Sequence, residues 1–276
     1  MDFRFILPFT YLLASRLTDW GTRFFHFWYE WLINVILLWF FLQKSPTETF
    51  VLFLIGYICF ISIYEIGYFM NDVYSIRYEQ KPRKRLGENF NPNNLSILTW
   101  IGLRLVYFGV GTWYIQQNYY HADFLRFTPP LPFWQVWTVF YVCLSVVFYL
   151  HNTLNSKGLK TMTFLMLAYL RFWAPIFIFL QPDQLSQLSL AVFVNYVFYR
   201  TLTYMESKDL LSLPERKLPL FKIRFYLLLF LLSLVIAFIQ HTTWSLILNA
   251  YYLFFWFIYW AKAGFKNVAG SAKEEA

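Results

Sequence analysis

The sequence is short of charge and of cysteine. Lys, Arg, Asp and Glu fill only 14% of its 276 positions, whereas soluble domains carry about 25%. A chain with so few charged residues lacks the polar surface that water requires, which excludes an ordinary soluble domain. Its two cysteines, Cys59 and Cys143, both lie inside apolar runs, so the sequence indicates no disulfide framework.

Apolar and aromatic residues take the place of the missing charge. Hydrophobic residues make up 59% of the chain and aromatic residues 24%, a composition typical of proteins that face lipid and its interfaces. The net charge of +8 could suggest nucleic acid, but most Lys and Arg lie in short loops between apolar runs. We therefore expect a lipid bilayer as the environment and no nucleic-acid partner.

Apolar runs of bilayer-spanning length predict an all-α integral membrane fold in one domain, 1–276. A spanning helix needs about 20 apolar residues. The predicted spans are 24–43, 49–70, 96–116, 131–150, 159–181, 184–205, 222–240 and 243–264. The stretch 3–15 is too short to span and contains Pro8, so we expect an interfacial or re-entrant segment there.

The loop charges predict the orientation. With the N-terminus in the cytoplasm, 18 Lys and Arg fall on the inner side and only two, Lys44 and Arg126, on the outer side. This asymmetry is a strong positive-inside signal. It predicts a multi-pass protein of the cell (inner) membrane with both termini cytoplasmic.

A polar cluster ends the second predicted span at its inner side. Helical spacing places five side chains on one face: Glu65, Tyr68, Asp72, Ser75 and Glu79. An ionisable residue inside a spanning helix marks a functional site by default, which applies to Glu65. The alternative is structural, with Glu65 paired to Arg104 or Arg171 to hold helices together.

A second acidic cluster follows the sixth predicted span. Glu206 and Asp209 are three residues apart and thus predicted on one helix face, with Lys208, Arg216 and Lys217 close by. Carboxylates at such positions suit Mg²⁺, which completes its octahedron with water and phosphate oxygens. The basic neighbours suit phosphate. The alternative is an ordinary solvated loop.

The two clusters carry a resemblance to a known family. The first reads N71-D72-V-Y-S75-I-R-Y-E79, with Lys81, Arg83 and Arg85 after it, and the second reads E206-S-K-D209. They resemble the NDxxDxxxD and DxxD motifs of the UbiA superfamily of intramembrane prenyltransferases, of which the chain looks like a divergent member. Ser75 and Glu79 depart from the first motif, and the second has two acids rather than three.

Two further segments are similar to that family. Arg16 and Trp20 faintly resemble its entry motif. The segment 152–171 is similar to its inner loop and fifth helix, in which a lysine is expected. Spacing leaves Lys157 and Lys160 open as that lysine.

The resemblance implies a bundle of eight to nine transmembrane helices around a cytoplasm-facing central cavity. It implies Mg²⁺ held by Asn71, Asp72, Glu79, Glu206 and Asp209, with Asp72, Asp209 and Glu79 catalytic. The implied substrate-binding residues are Asn71, Glu65, Tyr68, Lys81, Arg83, Arg85, Lys157, Lys160, Arg171 and Tyr204. The implied reaction is displacement of diphosphate, with transfer of a prenyl group from an isoprenoid diphosphate to a small or lipid acceptor.

Two other functions are compatible with the same residues. One family branch transfers phosphoribose to a polyprenyl phosphate, and Arg200 and Tyr204 ahead of Glu206 look somewhat like its motif. A transporter or non-catalytic membrane protein would instead use Glu65, Arg104 and Arg171 as a polar pathway. The sequence shows no internal repeat of the kind that many transporters have.

Overall fold

The computed structural model describes residues 5–74, 85–86, 93–119, 132–213, 215 and 218–274. Within these ranges all regular secondary structure is helical. Contacts divide the chain into two compact units, Met1–Pro182 and Asp183–Ala276, and each is described by itself. The single domain expected over 1–276 stays a prediction.

The described residues form one short helix and eight long ones. The first unit contains α1 (Thr10–Ser15), α2 (Trp20–Leu42), α3 (Pro46–Val73), α4 (Asn94–Asn118), α5 (Phe133–Thr153) and α6 (Lys157–Trp173). The second contains α7 (182–207), α8 (Pro219–Gln240) and α9 (Trp244–Glu274). Both α2 and α7 include a π-helical turn, Phe27–Leu32 and Phe193–Val197.

Five of the described helices are long and apolar enough to cross a membrane. They are Trp20–Leu42, Pro46–Val73, Asn94–Asn118, Phe133–Thr153 and Leu220–Gln240. The chain is therefore a helical membrane protein, as the composition predicts. The count of eight to nine spanning helices and the central cavity stay predictions.

Helix α3 positions the first acidic cluster, and local sequence defines its N-terminal end. Ser45 and Glu48 form a reciprocal capping box before an apolar run, and Pro46 occupies the first turn, where its missing N–H costs nothing. The helix continues for 28 residues to Val73. Asp72 therefore lies in its last turn.

The prediction of one helix over 159–181 is wrong. Helix α6 ends at Trp173 and is followed by a buried, irregular stretch with a 3₁₀ turn at Phe177–Phe179. Pro175 explains the break, since a proline lacks the N–H donor that a helix interior requires and its ring clashes with the carbonyl one turn earlier. The 17 residues of α6 extend roughly 26 Å, short of the ~30 Å hydrocarbon core.

The N-terminal segment is partly buried, through three of its large apolar residues. Phe5, Tyr11 and Leu12 are at most 8% accessible. Phe5 and Tyr11 pack with Phe69 of α3 and Trp100 of α4. This position brings residues 5–16 alongside the polar face of α3.

Candidate functional site

The Asp72 carboxylate is the centre of a compact ionic cluster at the C-terminal end of α3. Arg16 binds it with both terminal nitrogens, Nη1 to Oδ2 and Nη2 to Oδ1, each at 2.8 Å. Arg85 donates from Nη1 to Oδ1 at 2.9 Å, and the Tyr11 hydroxyl donates to Oδ2 at 2.9 Å. The Asn71 amide lies 3.4 Å from Oδ1. Both carboxylate oxygens are thus occupied by donors. We call Tyr11, Arg16, Asp72 and Arg85 the Asp72 cluster.

Titration behaviour follows from these contacts. Burial alone would lower the pKa of the Arg16 guanidinium. The hydrogen bonds to Asp72 and its negative charge raise this pKa by more than burial lowers it, so the net shift is upward. Burial, and then the neighbouring Asp72 carboxylate, raises the pKa of the Tyr11 hydroxyl. Arg16 therefore stays charged and Tyr11 stays a hydrogen-bond donor across the physiological range.

Tyr68 connects this cluster to a second one deeper in the unit. The Arg16 guanidinium lies over the Tyr68 ring, 4.5 Å from its centroid, and the Tyr68 hydroxyl accepts a 2.8 Å hydrogen bond from Arg171 Nη1. Glu65, Tyr68 and Asp72 all contact residues 11–16. Their predicted position on one face of α3 is confirmed.

Arg171 pairs with an acid that the sequence analysis missed. Its Nε donates to Glu30 Oε2 at 2.8 Å, and His26 Nδ1 lies 3.0 Å from the same oxygen. The His26 Nε2 atom is 3.0 Å from the Tyr57 hydroxyl. Glu30 lies within the π-helical turn of α2. It could have been found by the rule applied to Glu65, that an ionisable residue inside a spanning helix has a function.

Glu65 pairs with Arg104, one of the two structural alternatives. Arg104 Nε donates to Glu65 Oε2 at 2.8 Å, and both side chains are fully buried. Arg104 also donates to the main-chain carbonyls of residues 5, 6 and 7, while Glu65 accepts from the Leu12 amide. The pair therefore anchors the N-terminal segment through its backbone.

A mostly apolar pocket of about 800 Å³ lies between α3, α4 and α5. Aliphatic side chains and the aromatic rings of Tyr64, Phe148 and Tyr149 line most of it. Its polar lining residues gather at the C-terminal end of α5 and the start of α6, where Asn152, Asn155 and Lys160 contribute. The pocket is thus mostly apolar, with one cationic side chain, Lys160, among its lining residues.

The structure distinguishes the two candidate lysines by position. Lys160 lines the polar end of the pocket, whereas Lys157 is the first residue of α6 and is exposed. Tyr74, which caps α3 two residues after Asp72, lines the same pocket. Asp72 and the polar end of the pocket therefore lie at the same end of α3.

The second acidic motif spans the end of α7. The helix ends at Ser207, so the predicted placement of Glu206 and Asp209 on one helix face is wrong. Asp209 adopts left-handed backbone geometry, with φ of 56°. The amides of Asp209 and Leu210 donate back to the carbonyls of Glu206 and Met205, which is the Schellman pattern that usually requires glycine at this position. Tyr204 is a predicted substrate-binding residue, and the centroid of its ring lies 5.6 Å from the Lys208 Nζ atom.

The described part of the chain does not fit a bound Mg²⁺. Within it, no three His, Cys, Asp or Glu side chains are grouped closely enough to hold a metal. Two arginines occupy the Asp72 oxygens that a metal would need. The predicted residues Ser75, Glu79, Lys81 and Arg83 lie outside the described residues. The Mg²⁺ site stays a prediction.

In comparisons with known proteins, the chain matches no protein-family model, no curated protein and no solved structure.

Proposed function

We propose that this chain is a membrane-embedded transferase that binds a phosphorylated isoprenoid and transfers its prenyl group to a small or lipid acceptor. The pocket between α3, α4 and α5 would hold the isoprenoid chain. Lys160 at the polar end of the pocket would face its phosphate end, and the arginines of the Asp72 cluster would approach that end from the C-terminal end of α3. The positive-inside prediction would put that end in the cytoplasm.

The observation that carries the proposal is the shape and chemistry of the pocket. Its walls are aliphatic and aromatic, and its polar end carries Lys160 with two amide side chains, Asn152 and Asn155. A ligand that fits must be apolar over most of its length and anionic at one end. A phosphorylated isoprenoid has that distribution, and the ~800 Å³ volume is within the usual range for small-molecule sites.

Prenyl transfer would use cations and aromatic rings that are present among the described residues. In that reaction the bond between C1 and the diphosphate oxygen breaks, and the diphosphate leaves with the electron pair. The acceptor then forms a bond to C1 and loses a proton. Cations fixed near the leaving group stabilise its developing charge, which is the role proposed for Lys160, Arg16 and Arg85. The rings of Tyr64 and Tyr149 in the pocket wall would favour a cation at C1.

The buried ion pairs favour this function over transport. Both Glu65 oxygens and several Arg104 nitrogens are used by contacts within the first unit. Arg171 is likewise bound to Glu30 and Tyr68. Side chains held in this way support packing between segments rather than a pathway for a moving solute.

A pair of neighbouring substitutions tests the proposal. Ser145→Trp would place an indole ring at the pocket, which Ser145 lines, whereas Val146→Trp places the same bulk at the next position of α5, which is also exposed but does not line the pocket. We expect saturable binding of a tritium-labelled isoprenyl diphosphate to the purified protein. Ser145→Trp should weaken it at least about tenfold, or about 1.4 kcal/mol, and Val146→Trp should leave it unchanged. Equal effects, or no saturable binding, would refute the proposal.

A further inference from the structure

We propose that Arg16 and Arg85 bind the phosphate groups of the ligand directly, without a metal ion, and that Asp72 positions the two guanidinium groups instead of ligating Mg²⁺. The inference rests on the proposed function, because it concerns the anionic end of the same ligand. It assigns Asp72 a different role from the one that the motif implies.

Hydrogen-bond donors of the protein already occupy the Asp72 carboxylate. Four hydrogen bonds of 2.8–2.9 Å reach its two oxygens, three of them from guanidinium nitrogens. The side chain is only 4% exposed. A magnesium ion would have to displace these donors and would then lie beside two fixed positive charges. The magnesium ion and the two guanidinium groups would all be positively charged, and like charges in close contact repel strongly in a partly buried site.

Within the described part of the chain, the Asp72 cluster carries a net positive charge. Arg16 and Arg85 contribute two positive charges and Asp72 one negative charge, so these three groups carry a net charge of +1. This one carboxylate does not neutralise both guanidinium groups. A phosphate would supply the missing negative charge, and arginine recognises phosphate with parallel N–H donors.

Within the described part of the chain, the guanidinium groups of Arg85 and Arg16 keep N–H donors that a ligand could use. A guanidinium has five N–H groups. Arg85 uses its Nη1 nitrogen on Asp72, and 28% of its side chain is exposed. Arg16 is 16% exposed and uses Nη1 and Nη2 on the carboxylate. The partly exposed Arg85 can therefore reach an incoming anion while Asp72 holds one edge of it in place.

The Arg16 guanidinium is held in place before any ligand binds. Arg16 is fixed by its bidentate contact to Asp72 and by the Tyr68 ring beneath it, and Tyr11 fixes the carboxylate in turn. Tyr68 also packs against Phe148, which lines the apolar pocket, at 5.5 Å between ring centroids. One aromatic side chain thus connects the Asp72 cluster to the pocket wall.

Inorganic pyrophosphate is the probe that tests this inference. Its binding to the full-length purified protein is measured by calorimetry in detergent, once with EDTA and once with Mg²⁺. We expect saturable binding in EDTA, with Kd within about threefold of the value in Mg²⁺. Arg85→Ala and Arg16→Ala should each weaken binding at least about tenfold, and Arg16→Lys should weaken it less because it retains the charge.

Asp72→Asn separates the two roles of the carboxylate. If Asp72 is a positioning residue, pyrophosphate binding by this variant persists in EDTA and in Mg²⁺ alike, because the loss of a negative charge beside the anion offsets the loss of a contact to the guanidinium groups. If Asp72 ligates Mg²⁺, the variant loses the Mg²⁺-dependent binding. Lys44→Ala is the matched control for loss of one positive charge, since Lys44 precedes the opposite end of α3, roughly 40 Å away along the helix.

The outcomes distinguish this inference from the proposed function. Pyrophosphate binding that requires Mg²⁺, or that survives both arginine-to-alanine substitutions, overturns the inference while binding of isoprenyl diphosphate still supports the proposed function. Absence of binding for both ligands overturns both. Arg85→Ala keeps the test decisive if Arg16→Ala does not fold, because Arg85 is the more exposed of the two side chains.

Discussion

At the scale of single residues, the buried charges of the first unit occur as arginine–carboxylate pairs. Arg104 binds Glu65, Arg171 binds Glu30 and Arg16 binds Asp72, each at 2.8 Å. An isolated buried charge is costly, and a buried pair is tolerated when further hydrogen bonds satisfy its remaining atoms. In all three pairs such bonds are present. The pairs join segments far apart in the sequence, the first of them holding residues 5–12 against α3 and α4.

Removing one partner of the deepest pair should unfold the protein more easily. Arg104→Met leaves Glu65 and three main-chain carbonyls without their donor. We expect a loss of about 3–5 kcal/mol in unfolding free energy, measured by denaturant unfolding in detergent. Lys44→Ala serves as the control, because its pair with Glu48 is exposed at 3.8 Å and should contribute about 0–1 kcal/mol. Equal losses in the two variants would contradict the structural role of Arg104.

Substitutions at Asp209 can separate the effect of its left-handed backbone geometry from the effect of its carboxylate charge. Its left-handed geometry costs most L-residues roughly 1–2 kcal/mol, whereas Gly and Asn tolerate it. Asp209→Gly and Asp209→Asn should therefore fold as well as the parent, and Asp209→Ala should be destabilised by about 1 kcal/mol. Thermal unfolding in detergent measures this order.

The same variants test the predicted catalytic role of Asp209. Gly and Asn both retain the helix terminus and both lack the carboxylate. If the carboxylate acts in catalysis, diphosphate release falls at least about a hundredfold in both. Full activity in both variants would leave Asp209 with the helix-capping role alone.

Some of these residue contacts could be predicted from the sequence and others could not. Helical spacing correctly placed Glu65, Tyr68 and Asp72 on one face. The cost of a buried charge suggested Arg104 or Arg171 as a partner for Glu65, and the structure shows Arg104. The contact of Arg16 with Asp72 could not be predicted, because it depends on the burial of the N-terminal segment. No local pattern indicates which helix surface covers such a segment.

At the scale of elements, close helix contacts depend on particular glycines. A Cβ atom on Gly56 of α3 would collide with the main-chain carbonyl of Pro175, in the break after α6. A Cβ on Gly109 of α4 would meet no atom within 4 Å. The same substitution should therefore have opposite effects at the two positions.

Gly56→Ala should destabilise the protein, because backbone atoms have to move apart to make room for the methyl group. Gly109→Ala should stabilise it by roughly 0.5–1 kcal/mol, the gain in helix propensity. Unfolding midpoints in detergent compare the two variants with the parent. Identical shifts would contradict the packing of α3 against Pro175.

The helices themselves were largely predictable, whereas their interruptions were not. Apolar runs of about 20 residues form helices because the backbone N–H and C=O groups find no water in lipid and must hydrogen-bond to each other. The break at Pro175 was readable from proline chemistry and should have shortened the predicted span 159–181. The π-helical turns in α2 and α7 contain the buried polar residues Glu30 and Asn195, and hydropathy carries no signal for such turns.

At the scale of the whole molecule, the charge asymmetry predicts which loops face the cytoplasm. We expect a membrane-impermeant maleimide to label Lys44→Cys on the outer side of intact cells, in a background where Cys59 and Cys143 are replaced by alanine. Lys157→Cys should be labelled only after the membrane is opened, because five of the basic inner-loop residues lie between 77 and 85 and favour cytoplasmic retention. The reverse labelling pattern would contradict the predicted orientation.

The central claim is that the pocket between α3, α4 and α5 holds a phosphorylated isoprenoid. Mass spectrometry of the lipids that co-purify with the protein in mild detergent tests it most directly. We expect an isoprenoid phosphate or diphosphate to be retained by the parent and by Val146→Trp, and to be depleted in Ser145→Trp, whose added ring would occupy the pocket that Ser145 lines. The same membrane phospholipids in all three samples, with no isoprenoid phosphate in any of them, would contradict the account.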